Sequence, residues 1–321
     1  MNTSTFLRTR SLALVTVIAV VLVGCAGPPA SSSAAATASP TIAASGASGP
    51  PRPTPSGTPK AAVDRHIYLI VFENKDFTSV IGDPAAPHLN SLARQYALST
   101  NYHGVSHPSQ PNYLALFSGS TQGVDDDGVH DIDAPNLADQ VEQAGLAWRV
   151  YAENVPPGCF QGSSSDGGAD GAGTYTRKHN PAISFTSISR DPQRCANITD
   201  FSHFDPEAAN VSLIVPNACH DMHDCSVADG DAWLKSFLPR IVESDAYARD
   251  GLILITFDEE HGKGDANQVA TIAISPSIRE GTRSDQSYDH YSLLRTIQDR
   301  LGLPCLANSC DAQPMSDLVG G

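Results

Sequence analysis

Five short runs are rich in apolar and β-branched residues and show no regular polar alternation: Ile67–Phe72, Trp148–Tyr151, Val211–Val215, Leu252–Phe257 and Val269–Ile274. Runs of this length suit strands covered on both faces, hence a parallel sheet flanked by helices. Between them, the spacing of apolar positions predicts helices over Pro87–Gln95, Pro111–Phe117, Leu137–Ala144, Asp231–Tyr247 and Tyr291–Leu301. Strand alternating with helix is the α/β pattern: one domain on a mostly parallel central sheet. The Gly/Ser/Asp-rich stretch 161–174 reads as an irregular surface loop or inserted flap, and the chain has no internal repeat.

The residues just after these strands are polar in a consistent way. Glu73 and Asn74 follow the first, and Glu153 and Asn154 the second. Asn217, His220, Asp221 and His223 follow the third, and Asp258, Glu259 and Glu260 the fourth. Loops are commonly polar, so one such end means little. Open parallel sheets, however, bind ligands beyond the carboxyl ends of their strands, and four ends delivering oxygen or imidazole groups there predict a polar or metal centre.

Charge and the first sixty residues refine this picture. Hydrophobic residues make up 40% of the 321 and charged residues 17%, enough for a sizeable core. All 35 acidic residues and 16 of the 20 basic ones lie beyond residue 60, a balance of 16 − 35 = −19 there. A body this acidic repels nucleic-acid backbones and anionic lipid surfaces, so no nucleic-acid partner is expected. Arg8 and Arg10 precede the apolar run Leu12–Val23 and the tetrapeptide Leu22-Val23-Gly24-Cys25. Residues 1–25 therefore read as a secretory signal ending in a tetrapeptide similar to the lipobox of bacterial lipoproteins, with Cys25 lipidated; the alternative is a plain signal with a chance cysteine. Residues 26–62, mostly Ala, Ser, Thr, Pro and Gly, read as a flexible linker, leaving 63–321 as the folded domain. The expectation is an exported chain, at the cell surface or secreted, touching the membrane only through its N-terminal lipid.

Six further cysteines support export: Cys159, Cys195, Cys219, Cys225, Cys305 and Cys310. An even number suggests disulfides. The close pairs Cys219/Cys225 and Cys305/Cys310 favour local bridges, which leaves Cys159 with Cys195. A zinc site competes weakly, because no C-x2-C pair occurs.

The segment His107-Pro108-Ser109-Gln110-Pro111-Asn112-Tyr113 places a proline where a helix accepts it best, in the first turn. Ser109 then sits at or just before the helix N-cap, facing the positive end of the helix dipole, an arrangement suited to phosphate. The plainer role is a helix cap. No G-x-S-x-G elbow occurs in the body, so an activated serine here needs a metal rather than a Ser-His-Asp triad.

Glu73-Asn74-Lys75, His107 to Tyr113, Phe257-Asp258-Glu259 and Tyr288-Asp289-His290-Tyr291 follow one another in an order and spacing that resemble the bacterial phosphoesterase family of acid phosphatases and phospholipases C, within the alkaline phosphatase superfamily. The nearest likeness is to secreted acid phosphatases of the mycobacterial type, and it spans roughly Arg65 to Leu306. The resemblance implies an alkaline-phosphatase-like fold in which Glu73, Asn74, Asp258 and Glu259 hold a metal ion, with Ser109 completing the coordination and serving as the nucleophile that is phosphorylated. An all-oxygen ligand set favours one hard divalent cation, Ca²⁺, Mg²⁺ or Mn²⁺ over zinc.

The leaving group needs a proton and the phosphoryl oxygens need positive charge, which histidine can supply. The catalytic candidates are His290 and His223; His107, Asn112 and Asp221 are candidates for contact with substrate. A buried histidine bonded to a backbone carbonyl is the competing reading of His290. His220 is a weaker neighbour, which a Cys219–Cys225 bridge would direct elsewhere, and Lys75 and Glu153 lie at the same edge. The reading that results is an acid phosphatase acting on small phosphate monoesters or phosphorylated lipids. The alternatives are a phospholipase C or other phosphodiesterase with the same centre, or a non-catalytic surface-binding lipoprotein. The chain stops soon after its last helix, which leans toward the monoesterase.

Overall fold

A computed structural model describes residues 65–166, 174–262, 264 and 266–320. The signal, the lipobox at Cys25 and the linker 26–62 lie outside the described residues, as do residues 167–173 of the proposed flap.

Among the described residues nine strands form one sheet: β1 (His66–Phe72), β2 (Ala97–His103), β3 (Trp148–Ala152), β4 (Ile198–Thr199), β5 (Val211–Val215), β6 (Gly251–Phe257), β7 (Gln268–Ile274), β8 (Arg283–Ser284) and β9 (Tyr288–Asp289). Their order is β4-β3-β5-β1-β6-β7-β2-β8, with β9 also pairing with β2. The sheet is mostly parallel, as the apolar runs predict; β7 is the exception, antiparallel to both β6 and β2. Every residue of β1, β5 and β6 is buried. These three adjacent strands form the centre of the core, each large side chain contributing roughly 1.5–3 kcal/mol by leaving water. Phe72 and Phe257, the last residues of β1 and β6, stack at 5.4 Å, and Phe72 meets Trp233 edge-on at 5.8 Å.

Helices α1 (Pro87–Gln95), α2 (Ser109–Ser118) and α3 (Leu137–Gln143) form close to where the sequence places them. The stretch predicted as one helix over Asp231–Tyr247 is instead three: Val227–Phe237, Pro239–Val242 and Asp245–Asp250. Pro239 removes an amide the helix needs, and Ser244 caps a new one through Tyr247 N–H. The last long helix, His290–Leu301, is capped by the Asp289 carboxylate, which accepts from Ser292 N–H.

Three disulfides join Cys159 to Cys195, Cys219 to Cys225 and Cys305 to Cys310. Among the described residues no helix is long and apolar enough to cross a membrane.

Candidate active site

The carboxyl ends of β1 and β6 lie side by side, with Phe72 in register with Phe257, so the next residues of each strand emerge together. Asp258 N–H donates to Phe72 O, and Glu73 N–H to Asp221 O beyond β5. Asn74 adopts a left-handed backbone (φ 50°), which Asn tolerates better than most residues. That turn aims its N–H at Asp258 Oδ1 (3.0 Å) and its amide at Ser109 Oγ (3.5 Å). The neighbouring loop passes close by: a Cβ on Gly104 would lie 2.7 Å from the Asp258 carbonyl oxygen.

Ser109 is the first residue of α2, after Pro108 at the N-cap position. Its side chain does not cap the helix. The Oγ lies 3.0 Å from Glu73 Oε2 and 3.2 Å from Glu259 Oε1, so one hydroxyl proton faces two carboxylates. Tyr113, one turn along α2, donates to Glu73 Oε1 at 2.5 Å. Glu73, Asp221 and Asp258 are each fully buried, and Glu259 nearly so.

Crowding four carboxylates out of water has the expected consequence. Burial first, then the charges of Asp258 and Asp221, push the Glu73 carboxyl well above its usual range. Burial lifts Asp221 to about 8. Burial and the charge of Glu259 lift Asp258 to about 7, and burial lifts Glu259 to about 7. Lys178 opposes the rise at Glu73, Asp221 and Glu259.

Among the described residues no group of three or more His, Cys, Asp or Glu side chains is drawn together as a cation shell. The donor chemistry nevertheless fits a hard cation. Asp258 Oδ2 is buried without a hydrogen-bond partner among the described residues, Glu73 and Glu259 each set a carboxylate oxygen against Ser109 Oγ, and Asn74, which meets that hydroxyl through Nδ2, carries an oxygen on the same amide.

The structure sorts the histidines. His290 is fully buried: its Nε2–H donates to Asp258 O (2.6 Å) and its Nδ1 accepts from the Tyr102 hydroxyl (2.9 Å). One neutral tautomer satisfies both bonds, and burial lowers the pKa to about 4. With both nitrogens engaged, His290 has the arrangement of the competing reading, a buried histidine bonded to a backbone carbonyl. His223 has Nδ1 on Asp224 Oδ1 (2.7 Å) and a partly exposed ring. His107 donates from Nδ1 to Glu259 Oε2, while its buried Nε2 has no partner among the described residues.

Asn112 and Asp221, the expected contacts with substrate, both have partners within the fold. Asn112 Oδ1 accepts from Val105 and Ser106 N–H, and its Nδ2 donates to Ser106 O and Pro108 O. The whole amide is spent shaping the loop that leads to Ser109. Asp221 Oδ1 accepts from His223 N–H, and its Oδ2 lies 3.2 Å from His179 Nδ1. Lys75 donates to Met222 O, and His220 pairs with Glu153 at 2.8 Å.

His179 is the residue sequence reasoning missed. It is buried, with Nε2 3.2 Å from Glu73 Oε1, Nδ1 facing Asp221, and its ring stacked on Tyr113 at 5.3 Å. It arrives on a short 3₁₀ turn, Arg177–His179, rather than at a strand end, so the strand-end pattern could not point to it. The Cys219–Cys225 bridge closes the loop that carries Asp221, the Met222 carbonyl and His223.

The model of the phosphoesterase family matches residues 83–304. The chain is 35% identical over 257 residues to a probable acid phosphatase of Kluyveromyces lactis, covering 77% of this chain and 60% of that protein. It is 34% identical over 262 residues to a phosphatidylinositol-3-phosphatase of Mycobacterium tuberculosis, covering 79% and 83%. It therefore spans less than two thirds of the yeast relative's length and most of the mycobacterial one. In fold it is similar to a Vibrio parahaemolyticus protein in the alkaline phosphatase superfamily, with a TM-score of 0.50, 9% identity, and coverage of 79% and 71%.

Proposed function

Since the chain belongs to the phosphoesterase family, we propose that it hydrolyses phosphate monoesters through a phosphoserine formed on Ser109. The observation that carries this reading is the Ser109 hydroxyl placed between Glu73 Oε2 and Glu259 Oε1 at the start of a helix. Its proton already lies on the path by which it leaves as Oγ attacks phosphorus. His223, its Nδ1 held by Asp224, gives a proton from Nε2 to the departing alkoxide and then draws one from the water that cleaves the phosphoserine. A protonated His107 Nε2 donates to a phosphoryl oxygen, with Glu259 fixing the ring. His179 and Tyr113 hold Glu73 in place from the side opposite Ser109. A hard divalent cation, held by Glu73, Asn74, Asp258 and Glu259 with Ser109, would lower the hydroxyl pKa and offset phosphoryl charge.

Phosphorylated lipids are favoured among the monoesters by the likeness to the mycobacterial phosphatidylinositol-3-phosphatase. The three disulfides support an exported chain, and a Cys25 lipid would hold it at the membrane.

The test is hydrolysis of an aryl phosphate, with acid quenching after brief exposure to ³²P-labelled substrate. Wild type should retain label on serine. Ser109→Ala should lose the label and about 10³-fold or more in kcat. Equal turnover by the two proteins would overturn the assignment, and faster cleavage of a bis-aryl diester would favour the phospholipase C reading.

A further inference from the structure

Asn267 lies immediately before β7, at the foot of the loop that returns from Glu260, and it is buried. Its backbone is left-handed (φ 44°), a conformation asparagine enters more readily than most residues. The side-chain amide bridges two segments that are far apart in the chain. Oδ1 accepts from Glu260 N–H (2.9 Å), which belongs to the peptide group that follows Glu259. Nδ2 donates to Ser106 O (3.0 Å), which belongs to the peptide group that precedes His107. An N–H on one side and a carbonyl on the other leave the amide a single orientation. The Asn267 main-chain carbonyl also accepts from Gly104 N–H at 2.8 Å, so this residue holds the loop before Ser109 at two points.

Glu259 and His107, the residues those two peptide groups adjoin, meet each other. One Glu259 carboxylate oxygen pairs with His107 Nδ1, and the other lies 3.2 Å from Ser109 Oγ. Ser106 O takes a second donor, Asn112 Nδ2 (2.9 Å), from the helix that begins with Ser109. Asn267 thus ties the acids after β6 to the helix of the nucleophile through one carbonyl. With 161 positions between Ser106 and Asn267, no local turn fixes that spacing. The bridge also needs close approach. A Cβ on Gly104 would lie 2.6 Å from Asn267 Nδ2 and 2.7 Å from Asp258 O, nearer than unbonded atoms stand, so a larger residue would wedge the two segments apart. Glu260 Oε2 accepts from Gln268 N–H (3.2 Å), which closes the loop at its base.

We propose that Asn267 is a positioning residue for phosphoryl transfer: its amide holds the Glu259 carboxylate at hydrogen-bond distance from the Ser109 hydroxyl, and Gly104 leaves the room it needs. Asn267 acts through Glu259 and His107 and touches no substrate. Displacing reacting groups by about 1 Å can cost on the order of 10²-fold in rate, which gives a buried amide leverage over turnover. This rests on the phosphoserine reading, and the experiment separates the two.

The probe is a ³²P-labelled aryl phosphate, acid-quenched across the first turnover, with inorganic phosphate as competitor. Asn267→Gly keeps the left-handed backbone but has no amide. Asn267→Asp keeps an acceptor for Glu260 N–H and sets an oxygen against Ser106 O, and Gly104→Ala inserts the wedge. Counted per folded molecule, labelling of serine should slow about tenfold or more in both Asn267 variants and about fivefold or more in Gly104→Ala. The inhibition constant for phosphate should stay within about threefold of wild type, the split expected when the fault lies in approach rather than in binding. Where Asn267→Gly does not fold, the other two variants decide. Labelling within about twofold of wild type in the folded variants overturns the proposal and leaves the phosphoserine standing. Phosphate affinity that weakens in step with the rate also overturns it, because a pocket loosened as a whole gives that result. Wild type that gains no label on serine overturns both readings.

Discussion

On the carbonyl side of Asp258, His290 and Tyr102 form a buried chain in which each polar atom meets one partner of the right kind. On the carboxylate side of the same residue, Glu73, Asp221 and Glu259 crowd in, Oδ2 has no partner among the described residues, and burial with mutual repulsion raises the carboxyl pKa values. Asn112 belongs with the first kind, all of its amide bonds closed on the loop before Ser109. The difference separates scaffold from site. A satisfied polar network adds rigidity and leaves nothing over for a ligand, whereas a frustrated one is held by the surrounding fold and keeps its capacity for chemistry.

The comparison makes opposite demands on stability and activity. Asp258→Asn takes a charge out of the frustrated side. We expect kcat on an aryl phosphate to fall by about 10²–10³-fold while Tm rises by about 2–4 °C, the gain from roughly 1 kcal/mol of relieved repulsion. Added Ca²⁺, Mg²⁺ or Mn²⁺ should raise Tm in wild type more than in this variant, a readout independent of turnover. A variant that loses stability along with activity would place Asp258 in the scaffold.

His290→Ala acts on the satisfied side, stranding the Tyr102 hydroxyl and the Asp258 carbonyl. Denaturant unfolding should show a loss of about 2–4 kcal/mol, with kcat of the folded protein reduced less than tenfold. The reverse pattern, unchanged stability with activity abolished, would return His290 to the role of acid.

The smallest effect concerns the pair at the end of β3. The hydrogen bond to Glu153 raises the His220 pKa. A histidine whose folded pKa exceeds its unfolded value stabilises below the unfolded pKa, near 6.5, and loses that contribution as pH rises through the folded pKa. Glu153→Gln should therefore melt about 1–2 °C below wild type at acidic pH, the scale of a half-exposed pair, and level with it at alkaline pH. A gap that persists at alkaline pH would mean the carboxylate serves the backbone amide of Asn217 instead.

Much of this was legible from residue order, for identifiable reasons. β1, β3, β5, β6 and β7 are buried on both faces, so their runs are apolar and stand out. β2 does not, because Ser99, Thr100, Asn101 and His103 interrupt it near the edge of the sheet, where the two-residue strands β8 and β9 only partly cover it. The strand-end rule located Glu73, Asn74, Asp258 and Glu259, since register along β1 and β6 sets which residues emerge together. It failed for His179, delivered by a turn, and it could not distinguish His290 from His223. Only the partners of each ring nitrogen do that, and those come from distant parts of the chain.

The site is also dispersed along the polypeptide: Asn74 and the Asp258 it bonds are 184 positions apart. On the proposed reading neither Ser109 nor its acceptors suffice apart, because Glu73 and Glu259, which follow β1 and β6, meet its hydroxyl only when those strands have paired. Turnover is thus a report on assembly. On the proposed phosphoserine reading, a newly made molecule stays inert toward phosphate esters until its central strands have closed, and proteolytic clipping that releases β6 abolishes turnover even with Ser109 chemically intact.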